Sequence, residues 1–376
     1  MPLSMFIDAL PYNEIKSKYP SWFENMQVAE LLPNVGYSSS LHWQLYCDKY
    51  PDERGVFVDW VKEPESNTGI RLISKLLAPL DKVGDLGLLS RKVMNRIVFR
   101  KNVFANIPYR FRGMFSEKGQ YLFWNKNTYS REPIFEGYSV ISQDEGHLTF
   151  DAVMGKVRNA ISSGEKNLFV VLGFADAEGH VCRRGDLYDQ RLKPYMDNVH
   201  DIISEYLKLH PKEEVLIVSD HGMSTVEHHI DLGLEKKYGK PGKNSYIAYS
   251  DTAIMCIWVD DKVLRKEISD YLTTFENGHL LNDIDRKRFG ITDRKFGDLI
   301  FNLREGYVFS NNWFGKSIKK PRPEGAGMHG FWPERCAHDQ MASVLLINSS
   351  RRINDTYEYK DANELIVDVM QGERVE

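Results

Sequence analysis

The stretch Val215-Leu-Ile-Val-Ser-Asp-His-Gly-Met223 decides the fold. Its four apolar residues run directly into polar ones, which is typical of a parallel strand that is buried on both faces and ends at a turn. In open α/β sheets, ligands bind beyond the carboxyl ends of such strands. Asp220 and His221 therefore lie where a ligand site is expected, and both are common metal ligands. An Asp at a strand end can also be a helix N-cap, so the choice between a metal ligand and an N-cap depends on the rest of the chain.

Three further segments place an acid or a histidine after an apolar run or at a glycine turn. They are Met5-Phe-Ile7 followed by Asp8, the run Asn167-Leu-Phe-Val-Val-Leu-Gly173 followed by Asp176 and His180, and Gly327-Met-His329-Gly330. Strands of this kind bring their carboxyl ends to one edge of a sheet. We therefore expect these side chains to form one site with Asp220 and His221.

These motifs resemble the alkaline phosphatase superfamily, and in particular its nucleotide pyrophosphatase/phosphodiesterase branch. The resemblance covers nearly the whole chain, in the order of the family. It implies an α/β fold of three layers, α/β/α, with a mostly parallel central sheet and a small inserted cap. It also implies two metal ions, which are zinc in the family, and a Ser or Thr nucleophile at a helix N-terminus.

The nucleophile is located by a second resemblance. In the branch it lies thirteen residues before the Pro of a turn that Tyr50-Pro51-Asp-Glu-Arg-Gly55 resembles, and that count leads to Ser38. Ser38 opens the segment Ser-Ser-Ser-Leu-His-Trp-Gln-Leu, which predicts the start of a helix. A helix N-terminus favours a phosphate through its free N–H groups and its dipole. The alternative is that Ser38 is only an N-cap.

The resemblance implies two sets of metal ligands and a role for each residue. Asp176, His180 and His329 correspond to the ligands of one metal, and Asp8, Asp220 and His221 to those of the other, which Ser38 completes. The implied activity is hydrolysis of a phosphodiester or pyrophosphate through a phosphoserine intermediate at two Zn²⁺ ions. Mn²⁺ or Fe could occupy the same nitrogen and oxygen ligands. Two alternatives remain open, a phosphomonoesterase of the same fold and a phosphate-ester binding protein without turnover.

The chain departs from the branch at three positions near Ser38. Leu41 stands where the branch has an Asn that donates to a phosphate oxygen, Arg54 replaces a His, and Asp48 replaces a Gly. The missing donor bears on the substrate rather than on the type of reaction. The backbone N–H of Ser39 could replace it. Nucleotide specificity does not follow from this sequence.

Composition supports one large α/β domain with an insertion. The chain has 376 residues, of which 42% are hydrophobic and 27% charged, and its net charge is −4. We expect the catalytic domain to comprise residues 1–80 and 151–376, and the cap to comprise 81–150. Four widely spaced Cys without a CxxC pair indicate reduced thiols and a cytoplasmic location. No signal peptide is expected, and no apolar run reaches the roughly 18 residues of a membrane span.

Residues 91–113 are basic and apolar in an otherwise acidic chain. They contain no acid and seven basic residues, which are Arg91, Lys92, Arg96, Arg100, Lys101, Arg110 and Arg112. Three interpretations remain open. The segment is a lid over a small-molecule or lipid-linked phosphate ester, a peripheral contact with an anionic membrane, or a cap helix with solvated charges. A nucleic-acid polymer is not expected as a partner.

Overall fold

The computed structural model describes residues 2–19, 22–64, 67–83, 85–94, 107–117, 126–143, 148–182, 186–242, 245–310, 322–333 and 341–372. The strands are β1 Leu3–Ile7, β2 Met26–Leu31, β3 Trp60–Val61, β4 Ser116–Glu117, β5 Ser139–Ser142, β6 Leu168–Leu172, β7 Val215–Val218, β8 Ser224–Thr225, β9 His228–Ile230, β10 Tyr246–Asp251, β11 Ile254–Val259, β12 Gly278–Leu280, β13 Leu299–Leu303, β14 Tyr307–Phe309, β15 Gly327–Met328, β16 Ala342–Ile347 and β17 Thr356–Tyr357.

The α-helices are α1 Tyr12–Lys18, α2 Ser38–Cys47, α3 Pro51–Arg54, α4 Thr68–Leu77, α5 Asp85–Met94, α6 Tyr109–Arg112, α7 Lys126–Tyr129, α8 Phe150–Ser162, α9 Phe174–Val181, α10 Asp186–Leu209, α11 Leu234–Tyr238, α12 Lys262–Leu272, α13 Asp283–Arg288 and α14 Tyr359–Gln371. Short 3₁₀ helices are Ala78–Lys82, Pro133–Phe135 and Arg294–Phe296.

The chain divides into two compact units. The first comprises Met1–Tyr50, Tyr121–Glu227 and Pro323–Glu376, and the second comprises Pro51–Gln120 and His228–Arg322. This division places 51–80 and 228–322 together with most of the expected insertion, whereas the sequence analysis assigned them to the catalytic domain. A separate cap at 81–150 stays a prediction.

The first unit is built on a seven-stranded sheet with the order β17-β2-β16-β7-β1-β6-β5. The neighbours β7, β1, β6 and β5 are mutually parallel, and β17 is parallel to β2, whereas β16 is antiparallel to both of its neighbours. Strand β1 lies between the other two strands that the sequence predicted. The predicted mostly parallel central sheet is therefore confirmed.

Burial on both faces explains why these strands are continuous apolar runs. Met5 and Ile7 pack on one face against α8 and α10, whereas Phe6 points to the other face, against α2 and α14. Successive side chains of a strand alternate between faces, so a strand between two helical layers needs apolar residues at every position. This arrangement is the predicted three-layer α/β/α architecture.

The helices that flank the sheet follow their sequence patterns. The apolar spacing from Tyr188 to Leu209 is that of an amphipathic helix, and α10 has its buried side chains on that stripe. The predicted helix start at Ser38 is confirmed, since α2 begins there with Tyr37 as its N-cap. Helix α14 packs on α2.

The second unit contains a four-stranded antiparallel sheet with the order β10-β11-β13-β12. Ile268 and Leu272 of α12 pack on this sheet against Ile257 and Phe301. None of the helices in the described part of the chain is both long and apolar enough to span a membrane.

Asp298 is a buried carboxylate of the second unit that accepts several hydrogen bonds. Its side chain is 1% exposed and accepts hydrogen bonds from Val259 N at 2.9 Å, Arg294 Nε at 2.6 Å and Arg294 Nη2 at 3.1 Å. Burial disfavours the charged form, but these hydrogen bonds and the Arg294 charge outweigh it and hold the pKa of Asp298 below 3.8.

We expect Asp298→Asn to lower the free energy of unfolding by about 2 kcal/mol at neutral pH, because the hydrogen bonds that Arg294 donates to this buried side chain lose their charged acceptor. The folded-state pKa of Asp298 is depressed, so its stabilisation is present above pH 3.8 and is lost as the pH falls through the folded value. The stability difference from the parent should shrink in acid.

Urea denaturation followed by circular dichroism at neutral and acidic pH checks this. Asp260→Asn is the matched control, because Asp260 meets the same Arg294 at 3.5 Å but its side chain is 78% exposed. It should change stability by less than about 0.5 kcal/mol. Equal effects of the two substitutions would contradict the assignment.

Candidate metal centre and nucleophile

The carboxyl ends of β1, β6 and β7 bring the predicted site residues together. Asp8 follows β1 directly, and its backbone N–H donates to Leu172 O at 2.9 Å. The N–H of Asp176, in the first turn of α9, donates to Asp8 O at 3.1 Å. Backbone hydrogen bonds therefore fix the Asp8 and Asp176 segments to each other before any ligand is considered.

Ser219 connects the Asp8 segment to the Asp220-His221 turn. Its hydroxyl oxygen accepts a hydrogen bond from Leu10 N at 2.7 Å, and its O–H donates to His221 O at 2.9 Å. Its own N–H donates to Ser343 O at 3.0 Å. One fully buried hydroxyl thus sets the relative positions of two of the turns.

Asp176 and His180 lie on one face of α9, four residues apart, so their side chains meet. His180 Nδ1 is 2.9 Å from Gly327 O, so this nitrogen bears the proton and Nε2 is left with its lone pair. His180 Nε2 lies 3.1 Å from Asp176 Oδ1, and His329 Nε2 lies 3.6 Å from the same oxygen. Asp176, His180 and His329 form one cluster of metal-ligand type.

His221 has the same tautomer for the same reason, because its Nδ1 is 2.8 Å from Gly222 O. Its Nε2 lies 2.9 Å from Ser38 Oγ, 3.3 Å from Asp8 Oδ1 and 3.5 Å from Asp220 Oδ2. Ser38 Oγ also donates to Asp8 Oδ1 at 3.1 Å. The predicted nucleophile is therefore in contact with two predicted ligands. The His221 and His329 rings stack with centroids 3.6 Å apart.

The carboxylates are strongly buried. Asp8 is 2% exposed and Asp220 is fully buried. Burial, together with the negative charges of Asp220 and Asp176, raises the pKa of Asp8, and burial raises the pKa of Asp220. Burial acts in the same direction on Asp176, but His180 and the other histidines outweigh it and lower the pKa of Asp176.

Glycines in the motifs allow close packing around the histidines. A Cβ at Gly327 would lie 2.5 Å from Gly179 O and 2.5 Å from Met223 Cγ. Gly330 has φ +78°, and a Cβ there would lie 2.8 Å from the Tyr37 ring. The Gly residues on either side of Met328-His329 are therefore required by packing, and Met223 fills the space between α9 and β15.

All seven predicted site residues lie within one compact unit and one cluster. The grouping differs in one respect from the one implied by the resemblance, because Asp176 belongs both with His180 and His329 and with Asp8 and His221. Asp220 contacts the cluster at His221, where Asp220 Oδ2 lies 3.5 Å from His221 Nε2. The assignment of each residue to one of two metals stays a prediction.

The sequence analysis missed several residues that hold these ligands in place. Ser219 was quoted in the deciding stretch without a role. The Tyr359 hydroxyl donates to Asp220 O, and Gly327 O orients His180. Ser219 could have been found from its position between strand and ligand. Tyr359 could not, because it is far from Asp220 in sequence and nothing local marks it.

The donor set fits divalent metal ions. Within the described residues, neither carboxylate oxygen of Asp220 has a hydrogen-bond donor, and the same holds for Asp176 Oδ1. A buried carboxylate without donors is costly unless a cation compensates its charge. Nitrogen and oxygen ligands without thiolate suit Zn²⁺, Mn²⁺ or Fe.

No protein-family model matches the sequence, and no curated protein matches it. The structure is nevertheless similar to solved ones over almost its whole length. Murine ectonucleotide pyrophosphatase/phosphodiesterase 5 has a TM-score of 0.61 at 12% identity, covering 99% of this chain and 95% of that one. The human protein of the same name has a TM-score of 0.59 at 12% identity, covering 99% and 95%. Phosphonoacetate hydrolase from Sinorhizobium meliloti 1021 has a TM-score of 0.59 at 12% identity, covering 98% and 96%.

These similarities define the class of fold. The chain has the fold of the alkaline phosphatase superfamily. More particularly, its structural neighbours are members of the nucleotide pyrophosphatase/phosphodiesterase type, so the predicted resemblance is confirmed. At 12% identity the likeness concerns the fold, and chemistry has to be argued from the site.

Asp220→Asn tests the metal assignment. The substitution keeps the shape of the side chain and removes a charged ligand. We expect the purified variant to bind one equivalent of zinc fewer than the parent and to retain its circular dichroism spectrum. Elemental analysis after chelation and reloading measures this. Asp197→Asn, at an exposed carboxylate paired with Lys193, is the control. Full metal content in Asp220→Asn would refute its role as a ligand.

Ser219→Ala tests whether the buried hydroxyl positions the ligands. Groups that orient ligands typically change metal affinity or activity by about 10–100-fold when they are removed. We expect a loss of zinc affinity in that range, measured by competition with a chromophoric chelator.

Ser343→Ala is a close control. Ser343 is equally buried and is the backbone neighbour of Ser219, but its hydroxyl has no hydrogen-bond partner within the described residues. Its removal should leave zinc affinity unchanged. An effect of equal size in both variants would show that Ser219 contributes only to packing.

Proposed function

We propose that this chain hydrolyses phosphate esters, of the phosphodiester or pyrophosphate class, at a site of two divalent metal ions with Ser38 as the nucleophile. The observation that carries the proposal is the position of Ser38 Oγ, 3.1 Å from Asp8 Oδ1 and 2.9 Å from His221 Nε2. A hydroxyl used only as a helix N-cap would bond to the backbone N–H groups of its own helix. Here it contacts two groups of the ligand cluster.

The described residues supply ligands for both ions. Asp176, His180 and His329 would hold one, and Asp8, Asp220 and His221 the other. When bound, two divalent ions neutralise the charge of a phosphoryl group and make a nearby hydroxyl more acidic. Zinc is the ion that we propose, because catalytic zinc sites are built from His nitrogen and carboxylate oxygen ligands with an open position.

The residues of the chain then define the reaction. Ser38 Oγ forms a bond to phosphorus while the bond from phosphorus to the leaving-group oxygen breaks. The hydroxyl proton of Ser38 passes to Asp8, whose Oδ1 is 3.1 Å away, and the leaving oxygen takes up a proton from solvent. Water then attacks the phosphoserine, which restores Ser38 and releases the phosphoryl product.

The N-terminus of α2 contributes to phosphate binding. N–H groups in the first turn of a helix have no acceptor within the helix and favour an anion. Ser40 and Leu41 donate to Tyr37 O, so the N–H of Ser39 is the group that we propose as donor to a phosphoryl oxygen. The Leu41 side chain is buried in the core and cannot take the place of the Asn found in the branch.

The structural neighbours support the reaction class and leave the substrate open. One is a pyrophosphatase/phosphodiesterase, which has also been solved as an inactive variant in complex with AMP, and another is a phosphonoacetate hydrolase in complex with phosphonoacetate. A phosphomonoesterase is the alternative enzyme. A binding protein without turnover is disfavoured, because binding a phosphate ester does not need a hydroxyl in contact with the ligand cluster.

Ser38→Ala should reduce turnover by more than about a thousandfold, since the covalent route is lost. Zinc content should be unchanged, because all six Asp and His ligands remain. Ser39→Ala is the matched control and keeps the backbone N–H, so its activity should stay within a few-fold of the parent. Phosphate trapped on the parent by acid quenching should map to the peptide that contains Ser38.

The same assays separate the alternatives. The zinc-loaded parent is compared on bis-nitrophenyl phosphate and nitrophenyl phosphate. A higher kcat/KM for the diester supports the phosphodiesterase, and the reverse supports the monoesterase. Turnover that survives in Ser38→Ala would exclude Ser38, and no turnover of either ester or of a dinucleoside pyrophosphate would favour the binding protein.

We also propose a cytoplasmic location. Within the described residues, Cys256 is a buried free thiol. Free thiols are typical of a reducing compartment. Cys336 lies outside the described residues.

A further inference from the structure

The second unit has an exposed apolar surface. Of the eleven large apolar side chains that are exposed in the described part of the chain, six lie within residues 72–93. We call these six the apolar surface, and they are Leu72, Leu76, Val83, Leu86, Leu89 and Val93. Their exposed fractions run from 44% to 69%. Scattered single apolar residues need no explanation, but a concentration of this kind marks an interaction site.

The spacing of five of the six residues places them on outward helical stripes. Leu72 and Leu76 are four apart on α4, and Leu86, Leu89 and Val93 follow the i, i+3, i+7 pattern on α5. Ser74, on the opposite side of α4, is buried instead. Each helix therefore turns an apolar stripe to solvent, the reverse of a helix whose stripe faces a core.

The 3₁₀ helix Ala78–Lys82 connects the two stripes. It contacts both α4 and α5 and leads directly into Val83. All three elements belong to the second unit.

Exposed basic residues surround the apolar surface. Arg71 and Lys75 lie beside the leucines of α4, Lys82 precedes Val83, and Lys92 lies beside Val93. Asp81 is engaged with Arg110 N at 2.9 Å. From residue 67 to 113 the sequence has ten basic and two acidic residues, whereas the whole chain has a net charge of −4.

We propose that the apolar surface and its basic residues bind the surface of an anionic lipid bilayer. Leucines beside lysines and arginines on short amphipathic helices match both layers of such a surface, since the apolar side chains enter the acyl boundary and the cations meet anionic headgroups. A second copy of this chain is a poorer partner. A two-fold interface would bring the same basic residues against each other.

This surface lies largely before the segment 91–113, for which membrane contact was one of three interpretations of the sequence. Of the basic residues of that segment, Arg96, Arg100 and Lys101 lie outside the described residues. Arg91 is buried and Arg112 donates to Phe115 O, so neither presents its charge at the surface. The contact is therefore assigned to α4, Ala78–Lys82 and α5.

Co-sedimentation of the full chain with vesicles tests the proposal. We expect binding to phosphatidylserine/phosphatidylcholine vesicles and not to pure phosphatidylcholine. Changing Leu72, Leu76, Leu86 and Leu89 together to Gln should abolish it. Changing Lys75, Lys82 and Lys92 together to Gln should weaken it by about tenfold or more, and rising salt should weaken it in the parent.

Two control variants match these changes. Leu209 and Val263, which are equally exposed, are changed to Gln, and Lys208, Lys236 and Lys262, which are exposed elsewhere, are changed to Gln. Both controls should bind anionic vesicles like the parent. All variants should keep the parent's circular dichroism and its turnover of a small ester, because none of these residues belongs to the ligand cluster.

The proposal fails if the parent does not bind anionic vesicles, or if the leucine variant binds them as the parent does. It also fails if sedimentation shows a parent dimer that the leucine variant converts to a monomer without any vesicle binding, since the apolar surface is then an interface between two copies. Equal losses in the lysine variant and its control would show that only overall charge matters.

Discussion

Buried negative charge is the constraint on which the rest of this structure depends. Asp8, Asp176 and Asp220 meet at the carboxyl ends of three parallel strands, where two of them have raised pKa values because burial and mutual repulsion oppose ionisation. Three carboxylates in such a place are stable only if cations compensate them. His180, His221 and His329 supply nitrogen ligands rather than permanent charge, since two of them hold a proton on Nδ1 for a backbone carbonyl. The cluster is therefore a candidate site for metal ions.

The scaffold fixes these groups through the backbone and through small residues. Hydrogen bonds from Asp8 N to Leu172 O and from Asp176 N to Asp8 O connect strand to strand, and Ser219 joins the third turn to the first. Gly179 and Gly327 let α9 and β15 approach each other around Met223. Because backbone hydrogen bonds hold the three carboxylates in place, they cannot move apart to reduce their mutual repulsion. A bound cation would reduce this repulsion and would therefore be favoured.

The fold and the ligand set could be predicted because both depend on short local patterns. A strand between two helical layers must be apolar at every position, so Leu3–Ile7, Leu168–Leu172 and Val215–Val218 are visible as runs, and each is followed by a polar turn. The Asp176 to His180 spacing places both side chains on one helix face. What could not be predicted depends on contacts distant in sequence. Tyr359 reaches Asp220 from α14, and Asp176 belongs to two ligand groups because of how the turns converge. Residues 51–80 and 228–322 belong to one compact unit, which also depends on contacts between segments that are distant in sequence.

The residues that differ from the branch bear on the substrate rather than on the reaction. Leu41 is buried in the core and offers no amide donor where the branch has one, whereas the first turn of α2 offers backbone N–H groups. The neighbours themselves show that one fold accepts unlike anions, since one is solved with AMP and another with phosphonoacetate. The two compounds have charged phosphorus oxygens in common. Specificity must therefore come from side chains outside the cluster, and those are the residues that a fold comparison at 12% identity leaves undetermined.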